Sequence, residues 1–350
     1  MKLRHKIAGT LALPLALAIA STANAATVVD TDAHTLKIGG FISAQAGWNV
    51  YDKAANQDSD VNFGIGLGVS RFNVNYTQKT AAGDITYLYE NDWAGGYRLR
   101  HAAIFHDGWV AGQFWSGFAN LTALAETIDA AGTSGNSANA QRTATLGKNF
   151  SIADGMSVGV FIEDHKVGTE PSARGANTAV PDIAANFKGK FGGTDVFAGL
   201  RMTQKDDPAA PATKQKTEGK VDFTLGVNSQ VTDELNLKVA MTSYDEGVKV
   251  SPDDRDLAFS VAGQYKINDQ IRTNLVVEQF IAGVDNGDHT AIWVNAFYKM
   301  DSGWEWGAEL RSVSIDSGRA AAAVVDLKKY GVNNLNDKDM SFTLQAKYAF

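Results

Sequence analysis

From residue 36 onward the chain keeps returning to a period of two. Leu36, Ile38, Gly40, Ile42, Ala44, Ala46 and Trp48 alternate with Lys37, Gly39, Phe41, Ser43, Gln45, Gly47 and Asn49. Val221, Phe223, Leu225 and Val227 alternate with Asp222, Thr224, Gly226 and Asn228. Leu257, Phe259, Val261, Gly263, Tyr265 and Ile267 do the same, as do Ile292, Val294, Ala296, Tyr298 and Met300. Such alternation specifies strands with one apolar and one polar face. Every such strand must bury its apolar face and pair both of its edges.

The breaks between strands fall into two kinds. Short ones lie near 78–83, 107–108, 151–156, 192–193, 230–234, 268–270 and 301–303. Long polar ones lie near 51–60, 119–141, 164–182, 204–219, 245–256 and 315–338, with tighter ones at 94–96 and 282–288 on the same side. About sixteen strands result. An even number of alternating strands of about ten residues, with short turns on one side and long loops on the other, describes an antiparallel up-and-down transmembrane β-barrel. Among strand structures only a closed barrel satisfies every backbone group in lipid. Trp48, Tyr76, Trp93, Tyr265, Tyr298, Trp304, Trp306 and Tyr348 fall near strand ends, as interfacial girdles require. A secreted β-sandwich or solenoid is the competing reading. A sandwich asks for more bulky Leu and Ile on its inner face and does not need aromatics at strand ends.

The N-terminus gives the address. Lys2, Arg4, His5 and Lys6 precede an uncharged apolar run from Ile7 to Ala20, and Ala23-Asn24-Ala25 supplies an A-x-A site. Residues 1–25 are expected to be a cleaved secretory signal peptide and 26–350 the barrel domain. Losing Lys2, Arg4 and Lys6 takes the formal net charge from −7 to −10. An acidic exported chain is a poor nucleic-acid binder. It has no cysteine, so no disulfide staples it. The end of the chain, FTLQAKYAF, is expected to be the last strand. Phe342, Leu344, Ala346, Tyr348 and Phe350 would face lipid and Thr343, Gln345 and Lys347 the lumen. A terminal aromatic also looks like the signal that the outer-membrane assembly machinery reads. The outer membrane of a Gram-negative cell is the expected location.

With apolar residues facing lipid, their neighbours face the lumen. Arg71, Asn73 and Asn75 then point inward, as do Glu90 and Asp92, Arg98 and Arg100, and Trp109, Gln113 and Trp115. Val110, Phe114 and Phe118 would point outward. Lys188, Lys190, Arg201, Lys238 and Arg311 fall on the polar phase of later strands. The phase flips near Ser70, which calls for a bulge or a loop hairpin. The long segment from Ala119 to Gln141 (constriction loop three) carries Glu126 and Asp129 and no basic residue; Arg142 follows it. Folded into the barrel, its acids would oppose Arg71, Arg98, Arg100 and Arg142. That arrangement makes a transverse field able to select charged solutes. The bland reading is that the arginines only brace the wall. His101 falls on the outward phase, which a subunit interface would explain, with small Ala103 and Gly112 beside it.

Leu99 to Gly132, LRHAAIFHDGWVAGQFWSGFANLTALAETIDAAG, resembles the core motif of the DcaP-like porins. Arg98, Leu99, Arg100, His101 and Ala102 match its arginine-rich strand. Gly112, Gln113, Trp115, Ser116 and Phe118 match the next element, and Glu126, Thr127, Ile128 and Asp129 the loop. Ser70-Arg71 and Glu90-Asn91-Asp92-Trp93 resemble two further elements. The likeness covers about residues 36–142. It implies a homotrimeric outer-membrane channel with a basic constriction, passing small, often anionic organic solutes such as dicarboxylates by passive diffusion. Two departures stand out. Only about ten residues separate the leader from the first strand, where many members carry a coiled-coil segment. After loop three the family has two close arginines, and here QRTATLGK offers Arg142 and Lys148.

The alternatives are a non-selective or cation-preferring porin and a non-conducting binding or adhesion barrel. The chain contains no G-x-x-x-x-G-K-[ST], H-E-x-x-H or G-x-S-x-G. No cofactor is expected and no enzyme, Ser116 near His101 being the nearest hydrolase-like pair. Asp58 and Asp60, and Asp253, Asp254 and Asp256, are weak metal candidates on outer loops, where they could hold divalent cations between lipopolysaccharide molecules. Outer-membrane lipid and lipopolysaccharide are the expected surroundings.

Overall fold

The computed structural model describes residues 25–51, 60–93, 96–128, 140–164, 180–206, 217–245, 255–281, 288–315 and 338–350. The strands are β1 (Ala26–Asp30), β2 (His34–Tyr51), β3 (Asp60–Leu67), β4 (Arg71–Thr80), β5 (Gly83–Asp92) and β6 (Arg98–His106). They continue with β7 (Trp109–Trp115), β8 (Arg142–Ala153), β9 (Met156–Glu163), β10 (Asp182–Phe191), β11 (Thr194–Asp206) and β12 (Thr217–Gln230). The rest are β13 (Leu235–Asp245), β14 (Arg255–Lys266), β15 (Ile271–Ile281), β16 (His289–Lys299), β17 (Trp304–Ile315) and β18 (Lys338–Ala349). The seven short breaks read from the sequence are tight turns, a further one at 31–33 joins β1 to β2, and the polar stretches are the long connections.

Apart from β3 and β4, each strand pairs antiparallel with the next, and β18 pairs with β2, so the sheet closes. β3 and β4 both lie against β2, at Ala44–Tyr51 and His34–Phe41, and together form one wall strand. The barrel therefore has sixteen strands. Its final seam is composite. β18 follows β2 down to Phe350, whose N–H and C=O exchange bonds of 3.0 and 3.1 Å with Gly40. β1 then takes over the same edge, with Ala26 opposite Ile38 and Asp30 opposite Thr35. Ala25 and Phe350 meet against Gly39, where a Cβ would stand 2.7 Å from Ala25 Cβ and 3.1 Å from the Phe350 carbonyl oxygen. Without β1 the first wall strand would present unpaired backbone at the rim.

The phase flip near Ser70 is a break inside that second wall strand. Ser70 Oγ accepts from Ser43 N at 2.9 Å and donates to Ser43 O at 3.3 Å, so a side chain replaces the missing ladder bonds. Gly68 lies against the Gln45 side chain, where a Cβ would be 2.5 Å from Gln45 Nε2. Above the break β3 pairs with β2, while among the described residues the neighbouring strand β5 pairs only with β4 and β6.

The outer surface is apolar, as a lipid-facing wall must be. Val221, Phe223, Leu225, Ile292, Val294, Phe342 and Leu344 are all exposed there. Ten strand residues rise about 33 Å along the strand, or about 25 Å along the axis once tilted by about 40°. β5 and β6, at 10 and 9 residues, just reach that height, whereas β2 runs for 18 and β12 for 14. One flank of the barrel is thus low. Aromatic pairs mark both levels. Trp304 lies 5.3 Å from Tyr348 beside the short turns, and Trp48 lies 4.9 Å from Phe63 and 5.7 Å from Phe342 toward the long loops.

The interior departs from a purely polar lumen. Leu88, Ala103, Val110, Phe114, Phe118, Phe161 and Ala184 form one buried apolar cluster, and Val276, Ala291, Trp293 and Val313 another. Loop three is the reason. It enters the barrel directly after Phe118, which joins the first cluster, and its Ala125 packs on the second, so parts of the inner wall pack as a core.

Candidate functional site

The inner wall of β4, β5 and β6 is organised by a bulge. Glu90 pairs with His101 but Asn91 pairs with Leu99, leaving Arg100 as the extra residue. A bulge leaves one residue unpaired and re-aims those around it. The freed carbonyls of Leu99 and Arg100 accept from Gln113 Nε2 at 2.8 and 3.3 Å. Arg98, Arg100 and His101 consequently all serve the inner face, which plain alternation forbids.

The three arginines of β4 and β6 meet the two acids of β5. Arg98 forks onto Asp92, with Nε–Oδ1 2.9 Å and Nη2–Oδ2 2.6 Å. Arg100 reaches both acids, Glu90 Oε1 at 2.6 Å and Asp92 Oδ2 at 2.7 Å. Arg71 Nη1 lies 4.0 Å from Glu90 Oε1, and its guanidinium stands 5.3 Å over the Phe41 ring. Charge-assisted forks of this kind fix the wall as well as charge it. Arg100 is sealed at 4% exposure, while half of the Arg98 side chain remains open.

Arg142, the first residue of β8, stacks 3.6 Å over the Trp115 ring. Trp115 lies 5.4 Å from His101, which in turn lies 4.9 Å from Phe114. Arg142 thus adjoins the arginine–acid group through Trp115 and His101, whose Nε2 lies 3.9 Å from Glu90 Oε1. Four guanidiniums therefore gather around two carboxylates, an excess of two positive charges. Arg71 Nε, Arg142 Nε and the Asn73 amide are buried without a hydrogen-bond partner among the described residues.

Three expectations are corrected here. His101 is not on the lipid face; the bulge turns it inward, opposite Glu90, at 2% exposure and 3.9 Å from Glu90 Oε1. It gives no reason for a subunit contact. Ala103 likewise faces inward, in the apolar cluster with Val110, Phe114 and Phe118. On β7 the expected phase is reversed, because Val110 and Phe114 pack under loop three while Gln113 shares the face of exposed Ala102 and braces the bulge from behind.

Loop three is pinned to the wall along its described length. Ser116 Oγ and Gly117 N donate to Glu163 at 2.7 and 2.6 Å, and Asn186 Nδ2 donates to Gly117 O at 2.6 Å. Asn120 Nδ2 donates to Leu225 O at 2.8 Å, and a short 3-10 turn follows at Leu121–Ala123. Lys238 Nζ donates to Leu124 O at 2.9 Å, and Ile128 N donates to Glu309 at 2.7 Å. Glu126 was expected to oppose the wall arginines. It binds the far wall instead: Arg272 forks onto it at 2.9 and 2.6 Å, and Gln264 Nε2 donates at 2.7 Å. Arg272 also reaches Glu305 at 2.9 Å, which holds Lys347 at 2.5 Å. The sequence reading missed Arg272 and Glu305. Glu163, Arg272 and Glu305 all sit on the inward phase, and only their partners reveal their role.

Of the remaining candidates, Arg311 faces inward on β17 with a buried Nε, beside Ser341 and Trp293. Arg201 forks onto Asp222 Oδ2 at 2.9 and 2.5 Å and covers Phe118 at 4.8 Å. Asp129, Asp58, Asp253 and Asp254 lie outside the described residues. Asp256 is buried on β14 rather than displayed on an outer loop. Among the described residues no group of three His, Asp or Glu side chains is placed to hold a metal.

No family model matches the chain, and a search of curated proteins finds no relative in sequence. In fold it is similar to the outer membrane channel DcaP of Acinetobacter baumannii, with a TM-score of 0.75 at 17% identity over 93% of this chain and 100% of that one. It is also similar to Salmonella typhi OmpF solved with daunomycin (TM-score 0.63, 13% identity, 92% of this chain and 99% of that one). Pseudomonas putida OprB gives 0.61 at 12% identity, over 89% and 94%. At such identities the likeness is one of fold. The DcaP-like motif read from residues 98–129 and the fold likeness to DcaP agree.

Proposed function

We propose that the protein is an outer-membrane porin that passes small hydrophilic solutes by passive diffusion and favours small organic anions such as dicarboxylates. The observation that carries this reading is the charged constriction: a loop bound inside a closed barrel, beside four guanidiniums matched by two carboxylates. The solute path runs between loop three and the wall that bears Arg71, Arg98 and Arg100. The half-open Arg98 is the first cation a solute meets, because it lies at the upper end of the low flank. Fixed donors in a narrow, low-dielectric passage replace part of an anion's hydration and repel cations.

In this reading residues 1–25 are removed on export and the barrel begins at Ala26. The working unit is a homotrimer. Two features support it: the low flank, and the outward Phe63, Ile65 and Leu67 of β3, of which Ile65 is 77% exposed on a strand with an unpaired edge among the described residues. Wide apolar patches beside a free edge call for a protein neighbour. OmpT of Vibrio cholerae, similar to this chain at a TM-score of 0.60, has been solved in a trimer form.

Planar-bilayer recording tests the proposal. A conducting channel with a reversal potential on the anion side in a salt gradient is expected. Zero conductance from folded protein would refute the porin and leave a binding barrel. Cation preference would refute the selectivity alone. A mass in mild detergent equal to one chain would refute the trimer.

A further inference from the structure

The inward-facing cations of the barrel are mostly tied down. Arg71, Arg98 and Arg100 face acids, Arg201 holds Asp222, Lys238 holds a loop carbonyl, and Arg272 and Lys347 share Glu305. Lys188 is different. It is half-buried, shares the inward phase of Ala184 and Asn186, and has no hydrogen bond or ion pair among the described residues; its ammonium overlooks the Phe197 ring at 5.9 Å. Phe197 is itself closed off at 1% exposure, and the next residue across the sheet, Gly226, lies under Asn120 of loop three. Two residues up the strand, Asn186 holds the Gly117 carbonyl. Lys188 thus sits at the lower edge of the base of loop three, on the side of the short turns. Lys190 follows it at the rim, opposite Asp195.

An ammonium removed from bulk water without a partner is costly unless something negative or polar comes to it. Conduction of a bound solute also needs a second site, close enough to draw it off the first and weak enough to release it. We propose that Lys188, beside Phe197 and beneath the base of loop three, is a second binding station for the carboxylate of an anionic solute, on the periplasmic side of the constriction. This rests on the anion-porin reading. The arginines of β4 and β6 take the solute from outside, and Lys188 receives it after it has passed loop three. The Phe197 ring keeps the ammonium from sinking into the wall, and among the described residues no carboxylate forms an ion pair with it.

The test uses oriented single channels carrying chloride, with succinate added to one side as a blocker. Lys188→Met should weaken block from the short-turn side by about threefold or more, the worth of one partly screened ion pair, and leave block from the long-loop side within experimental error. Lys188→Arg should restore it, and Arg98→Ala should show the opposite sidedness. A Lys188→Met channel blocked as wild type from the short-turn side would overturn the proposal, as would equal loss from both sides. If wild-type channels are cation-selective and unblocked by succinate, the porin's anion preference fails first and this station with it. Heat-modifiable migration on a gel confirms that each variant is folded.

Discussion

Glu126→Ala should loosen loop three without unfolding the barrel. The carboxylate accepts the Arg272 fork at 2.9 and 2.6 Å and a Gln264 amide at 2.7 Å, with Asn274 Nδ2 at 3.4 Å. Hydrogen bonds to charged groups contribute about 1.5–3 kcal/mol each. Two features lower the total. A third of the Glu126 side chain is exposed, so solvent screens it. Arg272 keeps Glu305 at 2.9 Å, so no orphaned charge remains, and the cost stays below the ~3–5 kcal/mol of a broken buried pair. An expected loss of about 2–3 kcal/mol raises the undocked fraction of the loop tip about 30–150-fold. The loop does not leave, because Glu163, Lys238 and Glu309 still hold it. Single-channel recording should then show strong current fluctuations and an added higher-conductance level. Wild-type noise and a single conductance level, from protein that still shows heat-modifiable migration, would refute the claim that Glu126 clamps the loop.

Arg98→Ala with Arg100→Ala removes the excess of two positive charges around Glu90 and Asp92, so the reversal potential should fall to near neutral; a variant as anion-selective as wild type would remove the wall arginines from selectivity. Val294→Arg, in the middle of the lipid face of β16, should destabilise the barrel by about 2–4 kcal/mol in urea titrations in vesicles, and no loss would contradict the assignment of that face. Gly112→Val should block assembly, because φ is +122° there and a Cβ would stand 2.2 Å from Ala102 O, whereas Gly64→Ala, with nothing within 4 Å, should fold normally. Equal yields of the two folded variants would contradict the tight β6–β7 approach.

Alternation alone determined the strands, because a side-chain period of two is a local property that survives any tertiary context. It also determined the turns and the closure, since edges cannot be left open in lipid. The lipid-facing register of β12, β16 and β18 follows directly, for example Val221 to Val227 and Phe342 to Tyr348. The break near Ser70 showed as a flip of phase, but the sequence could not show the second place where that period is broken. The bulge at Arg100 inserts one residue among several polar ones, so RLRH reads equally well in either phase, yet it decides whether His101 meets lipid or Glu90. Nor could it show that Val110, Phe114 and Phe118 point inward, because an apolar residue reads as lipid-facing until a loop fills the lumen and makes a second apolar environment. The partner of Glu126 lies 146 residues away on β15. Glu126 was visible as a loop acid while Arg272 was missed, because which charge meets which is set by how the sheet curls round, and only the closed barrel brings them within a hydrogen bond.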